Sequence, residues 1–340
     1  MNAIEQSWQS RGFLACLLWP LAQIFGLLIA ARRFLYTHEV IKAKPVSLPV
    51  VVVGNLSVGG TGKTPLCAKI VDVFESEGWH PAIVSRGYGG SNEKSPLLVS
   101  ETDSADRVGD EPLMLHRITK VPVCVCVDRA AAVNYIAHHT AADIIISDDG
   151  LQHLAMPRVA QIIVIDSQRG FMNRWLLPAG PLRERLDRLN EADLIALQTR
   201  DAAGSSWHDS LDSVFAGPAM APMRDNTFYL QPKAAIALSD GRQSSLSSFR
   251  KKPVHAMAGI GNPDRFFDAL RSEGLTVLEH PVPDHHKYKT EDFDFSNQLP
   301  IMVTAKDAVK LRSMKGLPES VFSLIHEVST RIILSHELDV

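Results

Sequence analysis

The stretch VVVGNLSVGGTGKTP, Val51 to Pro65, joins a β-branched run, a glycine-rich turn and a Lys-Thr pair in the order that phosphate binding requires. In a P-loop, glycines such as Gly59, Gly60 and Gly62 let backbone N–H groups converge on phosphate oxygens. Lys63 then reaches the β- and γ-phosphates, and the Thr64 hydroxyl binds Mg2+. Ser57 and Thr61 complete the nucleotide-contacting run, with Ser57 standing where G-x-x-x-x-G-K-[ST] has its first glycine. A chance glycine turn between strand and helix is the alternative. A strand must feed this loop, and a helix over about Lys63 to Glu77 must leave it with its positive end on the same anion.

Other segments offer matching chemistry. DIIISDDGLQH ends an apolar strand in Asp148 and Asp149, where a P-loop enzyme needs a metal-binding or water-orienting group; a solvated Asp-Gly turn is the alternative. His153 is positioned to orient a carboxylate or phosphate, or is structural. SRGYGG brings Arg86 and Tyr88 in a glycine-rich loop, functional or simply exposed. VGDEPLML puts Asp110 and Glu111 at a helix start, with Asp110 as N-cap, as general base toward a hydroxyl, or as both. In PVPDHHKY, His285 and His286 suit a catalytic histidine acting across a domain cleft, with metal binding as the lesser alternative. RGFMNRWLLPAGPLRERLDRL interleaves arginines with apolar anchors and fits a phosphorylated amphiphile, a membrane surface or an exposed helix.

The elements that position these groups read as α/β. Apolar β-branched runs near 82, 121, 143, 161 and 193 alternate with helical stretches, which predicts a P-loop NTPase-type parallel sheet flanked by helices. Weak periodicity from about Ala202 to Asn226, with Gly204, Ser205, Ser206 and Gly217, places a boundary there. Runs near 233, 254, 275, 300 and 321 (the last VFSLI) then predict a second, smaller α/β domain. The expected division is an apolar N-terminal helix in 1–40, a P-loop domain in 41–225 and a C-terminal domain in 226–340 that closes over the site.

At 340 residues the chain has room for two domains, and a net charge of -3 gives no sign of a nucleic-acid partner. No obligate protein partner is evident. The four cysteines, Cys16, Cys67, Cys124 and Cys126, show no metal spacing and read as reduced core thiols. Phe13 to Ala30 is uncharged and followed by Arg32 and Arg33. It fits a monotopic anchor, a buried helix or a single span, and the flanking Trp8, Trp19 and basic residues favour the interface.

Taken in order, GNLSVGGTGKTP, SRGYGG, GDEP, DDGLQH, LLPAGPLRE, GIGNP, PDHHKY and TAKDAVKL resemble the tetraacyldisaccharide 4'-kinases, the lipid A 4'-kinases of Gram-negative bacteria. That family's loop, GN-x-x-x-GG-x-GKTP, accommodates Ser57, whereas Ala305 stands where an acidic residue is expected. The resemblance implies ATP- and Mg2+-dependent phosphorylation of the 4'-hydroxyl of a tetraacyl disaccharide 1-phosphate to lipid IVA, at the cytoplasmic face of the inner membrane. It also implies that Asp110 and His285 act together, with His286 the less favoured histidine. Lys63 and Thr64 hold phosphates and Mg2+, Asp148 and Asp149 complete the metal and phosphate site, and Arg183 is a phosphate contact. Another P-loop NTPase, such as a metallochaperone, and a membrane-tethered nucleotide switch are the competing readings; TAKD lacks the [NT]-K-x-D spacing that guanine recognition wants.

Overall fold

Val50 to Val53 alternate between two apolar layers. Val51 and Val53 pack toward one face with Leu66, Ile70 and Leu113, while Val50 and Val52 pack toward the other with Val133 and Ile136. A strand buried on both faces is what helices on either side of a parallel sheet produce. The structure is a computed structural model that describes residues 3–91, 94–200, 208–209, 211–215 and 226–334. Gly204, Ser205, Ser206 and Gly217 of the expected boundary lie outside these residues.

The strands are β1 (Val50–Gly54), β2 (Pro81–Ser85), β3 (Leu97–Leu98), β4 (Val123–Val125), β5 (Ile144–Asp148), β6 (Ala160–Asp166), β7 (Leu194–Gln198), β8 (Thr227–Ala237), β9 (Gln243–Ser244), β10 (Val254–Ala258), β11 (Val277–Pro281), β12 (Ile301–Thr304) and β13 (Ile325–Leu334). The helices are α1 (Ala3–Ser7), α2 (Phe13–Thr37), α3 (Lys63–Ser76), α4 (Ala105–Val108), α5 (Asp110–Thr119), α6 (Arg129–His139), α7 (Asp212–Phe215), α8 (Pro263–Ser272), α9 (Ala305–Arg312) and α10 (Glu319–Phe322). One sheet runs β11-β10-β12-β13-β8-β7-β6-β1-β5-β2-β4-β3, with β9 beside β8.

The long pair β8 and β13 organises the molecule. They are antiparallel to each other, so β7, parallel to β8, and β12, parallel to β13, run in opposite directions. β7 meets only the start of β8, through Leu197↔Thr227 and Gln198↔Phe228, while β12 meets the start of β13, through Ile301↔Ile325 to Thr304↔Val328. The carboxyl edges of the two half-sheets therefore face each other across the middle of this ribbon. Its register shifts at Ser329/Thr330, opposite Pro232, which has no N–H to give a ladder.

Four expectations need correction. VFSLI is not a strand: Val321 and Phe322 close the turn of α10, and the strand begins at Ile325. Asp110 is not an N-cap, because Gly109 holds that position and Asp110 is the first helical residue. The arginine-rich segment forms only a 3-10 turn at Leu186–Glu191, and Cys16 is exposed while the other three cysteines are buried.

Helix α2 is 25 residues long with a mean hydropathy of 2.2, enough by length and composition to cross a bilayer. Only Ala15 and Ala22 of it are buried, so it is not a core helix. It rests along the protein. Trp8 just before it donates through Nε1 to Pro178 O at 2.9 Å, Gly26 lies against Leu176, and Arg33 near its end pairs with Glu184 and Glu191. Phe13, Leu17, Leu21, Ile24 and Leu28 face outward.

Candidate active site

A cleft of about 1140 Å³ lies where the two half-sheets face each other. Because β1 lies next to β5, with Val53 opposite Asp148, the P-loop and the Asp-Asp turn emerge side by side. The chain turns to opposite sides after these strands, toward β2 and toward β6, and that reversal is where open α/β sheets bind ligands.

Gly59 to Thr64 line the cleft. Asn55 braces their loop, its Nδ2 donating to Thr61 Oγ1 at 3.0 Å, and Arg169 donates through Nη1 to Val58 O at 2.9 Å. The GIGNP loop after β10 closes on it from the other half: a Cβ on Gly261 would come within 2.7 Å of Gly60 N, so Gly261 has to be glycine for the two loops to approach. Arg265 of α8 reaches Asp166 at 2.6 Å and also bonds Gln198, which packs under Gly62. Ser57 is buried in a bridge with Leu182 and does not line the cleft.

Asp148 and Asp149 take different environments. Asp148 is buried, and that burial, with the Glu111 and Asp149 carboxylates nearby, pushes its carboxyl up to about 7. Burial also acts on Asp149, but the Lys63 ammonium at 3.6 Å and the Arg183 guanidinium at 3.0 Å hold it below the usual carboxylate range. Asp149 adopts φ +48, uncommon for a non-glycine residue. Arg129 of α6 fixes that turn by donating through Nη2 to Asp148 O at 3.2 Å and Asp149 O at 3.0 Å. His153 lines the same wall; burial and the Arg129 cation push it down to about 4, so it is neutral.

From the opposite half, the loop after β11 carries His285 at φ +59 to within 3.0 Å, Nδ1 to Oδ2, of Asp110. Asp110 is only 4% exposed, and its Oδ1 accepts the Glu111 backbone N–H at 3.0 Å. Burial would raise its carboxyl, but the bond from His285 and the Lys306 and Lys310 cations hold it below the usual range. The same bond raises His285 above the ordinary imidazole value, against burial and Lys306. His285 lines the cleft and Asp110 sits behind it. Tyr88 packs its ring 5.0 Å from that of His285, and Arg86 lines the cleft beside it. Gly109, at φ +91, lets the two loops meet, since a Cβ there would lie 2.7 Å from Tyr88 O. His286 instead bonds Asp292 at 2.9 Å and is not part of the lining.

Sequence reasoning brought Lys63, Thr64, Arg86, Tyr88, Asp110, Glu111, Asp148, Asp149, His153, Arg183 and His285 forward, and the fold gathers them around this cleft. It gave no individual role in the site to Asn55, Arg129, Arg169 or Lys306. The one available signal for Arg129 was Asp128-Arg129 opening a helix after a strand, with Asp128 capping Ala131 N–H.

The family model described as tetraacyldisaccharide-1-P 4'-kinase matches residues 14–339. A tetraacyldisaccharide 4'-kinase of Azoarcus sp. (strain BH72) is 44% identical over 312 residues, covering 91% of this chain and 87% of that protein. One of Halorhodospira halophila (strain DSM 244 / SL1) is 45% identical over 309 residues, covering 90% and 87%. A crystal structure described as the "apo" form of LpxK from Aquifex aeolicus in complex with ATP superposes with a TM-score of 0.73 at 26% identity, covering 95% of each chain.

Proposed function

The chain belongs to the tetraacyldisaccharide-1-P 4'-kinase family, and from that premise we propose how this cleft carries out the transfer. It is a kinase that moves the γ-phosphoryl group of ATP to the 4'-hydroxyl of a tetraacyldisaccharide 1-phosphate in lipid A synthesis. The observation that carries the mechanism is the meeting of a P-loop with an Asp110–His285 pair drawn from opposite half-sheets.

The P-loop amides and Lys63 hold the phosphates, while Arg183 and Arg86 supply further positive charge along the cleft. Asp110 anchors His285 through Nδ1, leaving Nε2 as the acceptor. The 4'-hydroxyl proton passes to this dyad as its oxygen bonds the γ-phosphorus. The bond from that phosphorus to the bridging oxygen breaks, and ADP leaves. Mg2+ fits the donors on the opposite wall. The buried Asp148 carboxyl, destabilised as an anion by its surroundings, gains from a cation beside it, and Thr64 adds a hydroxyl. Among the described residues no three His, Cys, Asp or Glu gather into a cage, which suits an ion that keeps water and phosphate oxygens as ligands. When bound, Mg2+ neutralises charge on the β- and γ-phosphates.

The acceptor arrives from a membrane. Contacts from Trp8 to Arg33 lay α2 along the protein surface with its apolar side outward, the posture of a monotopic anchor on the cytoplasmic leaflet. Arg32 at the end of this helix lines the cleft, so an amphiphile whose chains lie beside α2 can present its sugar to the P-loop. Residues 41–225 and 226–340 act as domains hinged at the β8–β13 ribbon, closing to exclude water.

The test is ADP formation from MgATP by detergent-solubilised protein with and without the tetraacyl disaccharide 1-phosphate, using Lys63→Ala as blank. Lipid-dependent ADP release with one phosphate gained per ADP is expected. Turnover indifferent to the lipid contradicts the reading and favours a nucleotide switch.

A further inference from the structure

Lys306 is a buried lysine that the proposed chemistry does not use. It sits in the first turn of α9, and its side chain is 9% exposed. Its ammonium donates to Glu111 Oε1 at 2.9 Å and Asp284 Oδ1 at 2.9 Å, and lies 3.5 Å from His285 Nε2 and 3.9 Å from Asp110 Oδ2. Glu111 and Asp110 come from α5 in one half-sheet, and Asp284 and His285 from the loop after β11 in the other. Lys306 therefore spans the cleft at the point where the dyad forms.

We propose that Lys306 is a positioning residue for the phosphoryl acceptor's base: it fixes the tautomer of His285 and locks the two halves together around the Asp110–His285 pair. This inference rests on the kinase reading. An ammonium has only donors, so the His285 nitrogen facing it must be a lone pair. That assigns the ring proton to Nδ1, where it is donated to Asp110, and leaves Nε2 ready to receive the hydroxyl proton. The same positive charge opposes protonation of the imidazole and so limits the rise that Asp110 imposes on it. Once it has protonated, Asp110 on one side and Asp284, 3.9 Å from Nε2, on the other hold the imidazolium. The charged groups that face this centre are Asp110 and Glu111 from α5, Asp284 from the loop, and Asp307 and Lys310 from α9 itself. Lys310 is occupied by Asp307 at 3.0 Å, and Asp307 is tied to Gly259 N–H at 2.9 Å and Thr304 Oγ at 2.7 Å, so neither replaces Lys306.

The experiment compares Lys306→Met, which keeps length and loses charge, and Lys306→Arg, which keeps charge, with the wild type. It reads kcat, the KM for ATP, the pH profile of kcat/KM and the NMR titration of His285. Lys306→Met is expected to lower kcat roughly 10- to 100-fold, the scale of a misplaced reacting group. Its KM for ATP stays within about threefold, as for loss of an interaction unrelated to nucleotide binding. The acid limb of the profile and the His285 midpoint both move to higher pH, and Lys306→Arg restores both. A Lys306→Met enzyme with wild-type kcat, or one whose kcat falls while the acid limb and the His285 midpoint stay in place, overturns the proposal. If Lys306→Met fails to fold, Lys306→Gln combined with Glu111→Gln neutralises the pair together, and the same acid limb decides. A wild-type protein that leaves the lipid unphosphorylated overturns the kinase reading and this inference with it; wild-type turnover beside an indifferent variant overturns this inference alone.

Discussion

A carboxylate 96% buried and an imidazole at the wall of a cleft do different work although they share one hydrogen bond. Burial would raise Asp110, but His285, Lys306 and Lys310 hold it below the usual carboxylate range, so in the proposed mechanism it orients the ring and stabilises the proton the ring receives. Asp110→Ala and His285→Ala are each expected to cut kcat by roughly 10²- to 10⁴-fold, the usual scale for loss of a general base. The double variant should fall little below the worse single one, because the two act as a unit. Steady-state rates that multiply across the double variant count against a dyad. The sign of the pH dependence follows from His285, whose affinity for protons is raised by Asp110. The dyad must be unprotonated to accept, so kcat/KM rises with pH through its apparent pKa. The stability contributed by the charged pair runs the other way: it is fully present below the unfolded imidazole value and is lost as pH rises through the folded one. These residues were legible because each stands in a short segment whose types suggest chemistry. The role of Lys306 was not: TAKDAVKL marked its segment, but its partner Glu111 lies 195 positions away and only the fold brings the two together.

Among the elements, α3 and β1 followed from pattern alone, because a β-branched run, glycines and a helix-forming stretch leave few alternatives. VFSLI misled for the opposite reason. Four apolar residues in five fit a strand by composition, yet Pro318 precedes them and the chain turns once as α10, with backbone bonds from Val321 and Phe322 to Pro318 O, before β13 starts. Helix α2 was legible as an apolar segment but not as a docked one, since its contacts run through small residues such as Ala15, Ala22 and Gly26. Its outward face carries Leu17, Leu21 and Leu28, spaced so that they share one side of the helix. Replacing all three by Glu should weaken vesicle binding at least about tenfold, since burying one such side chain contributes about 1.5–3 kcal/mol. Kinase activity on detergent-dispersed lipid should persist. Undiminished co-sedimentation with vesicles would move the anchor elsewhere.

At the scale of the whole molecule, the alternation of runs indicated two α/β units but not how they meet. The β8–β13 ribbon joins strands about 100 positions apart in sequence, and only its antiparallel sense turns the two carboxyl edges toward each other. The P-loop, the Asp-Asp turn and α5 arrive from one edge, while the GIGNP loop, His285 and Lys306 arrive from the other. Neither edge alone holds both the phosphate cradle and the complete Asp110–His285 pair. Transfer between two substrates held in one cleft is tested by following the phosphoryl group itself. With ATP labelled at the γ-phosphate, and the tetraacyl disaccharide 1-phosphate compared with its 4'-deoxy analogue, the label should appear on the lipid at the 4'-position and nowhere on the analogue. Label released only as inorganic phosphate, at equal rates with either lipid, would contradict transfer to the 4'-hydroxyl in this cleft.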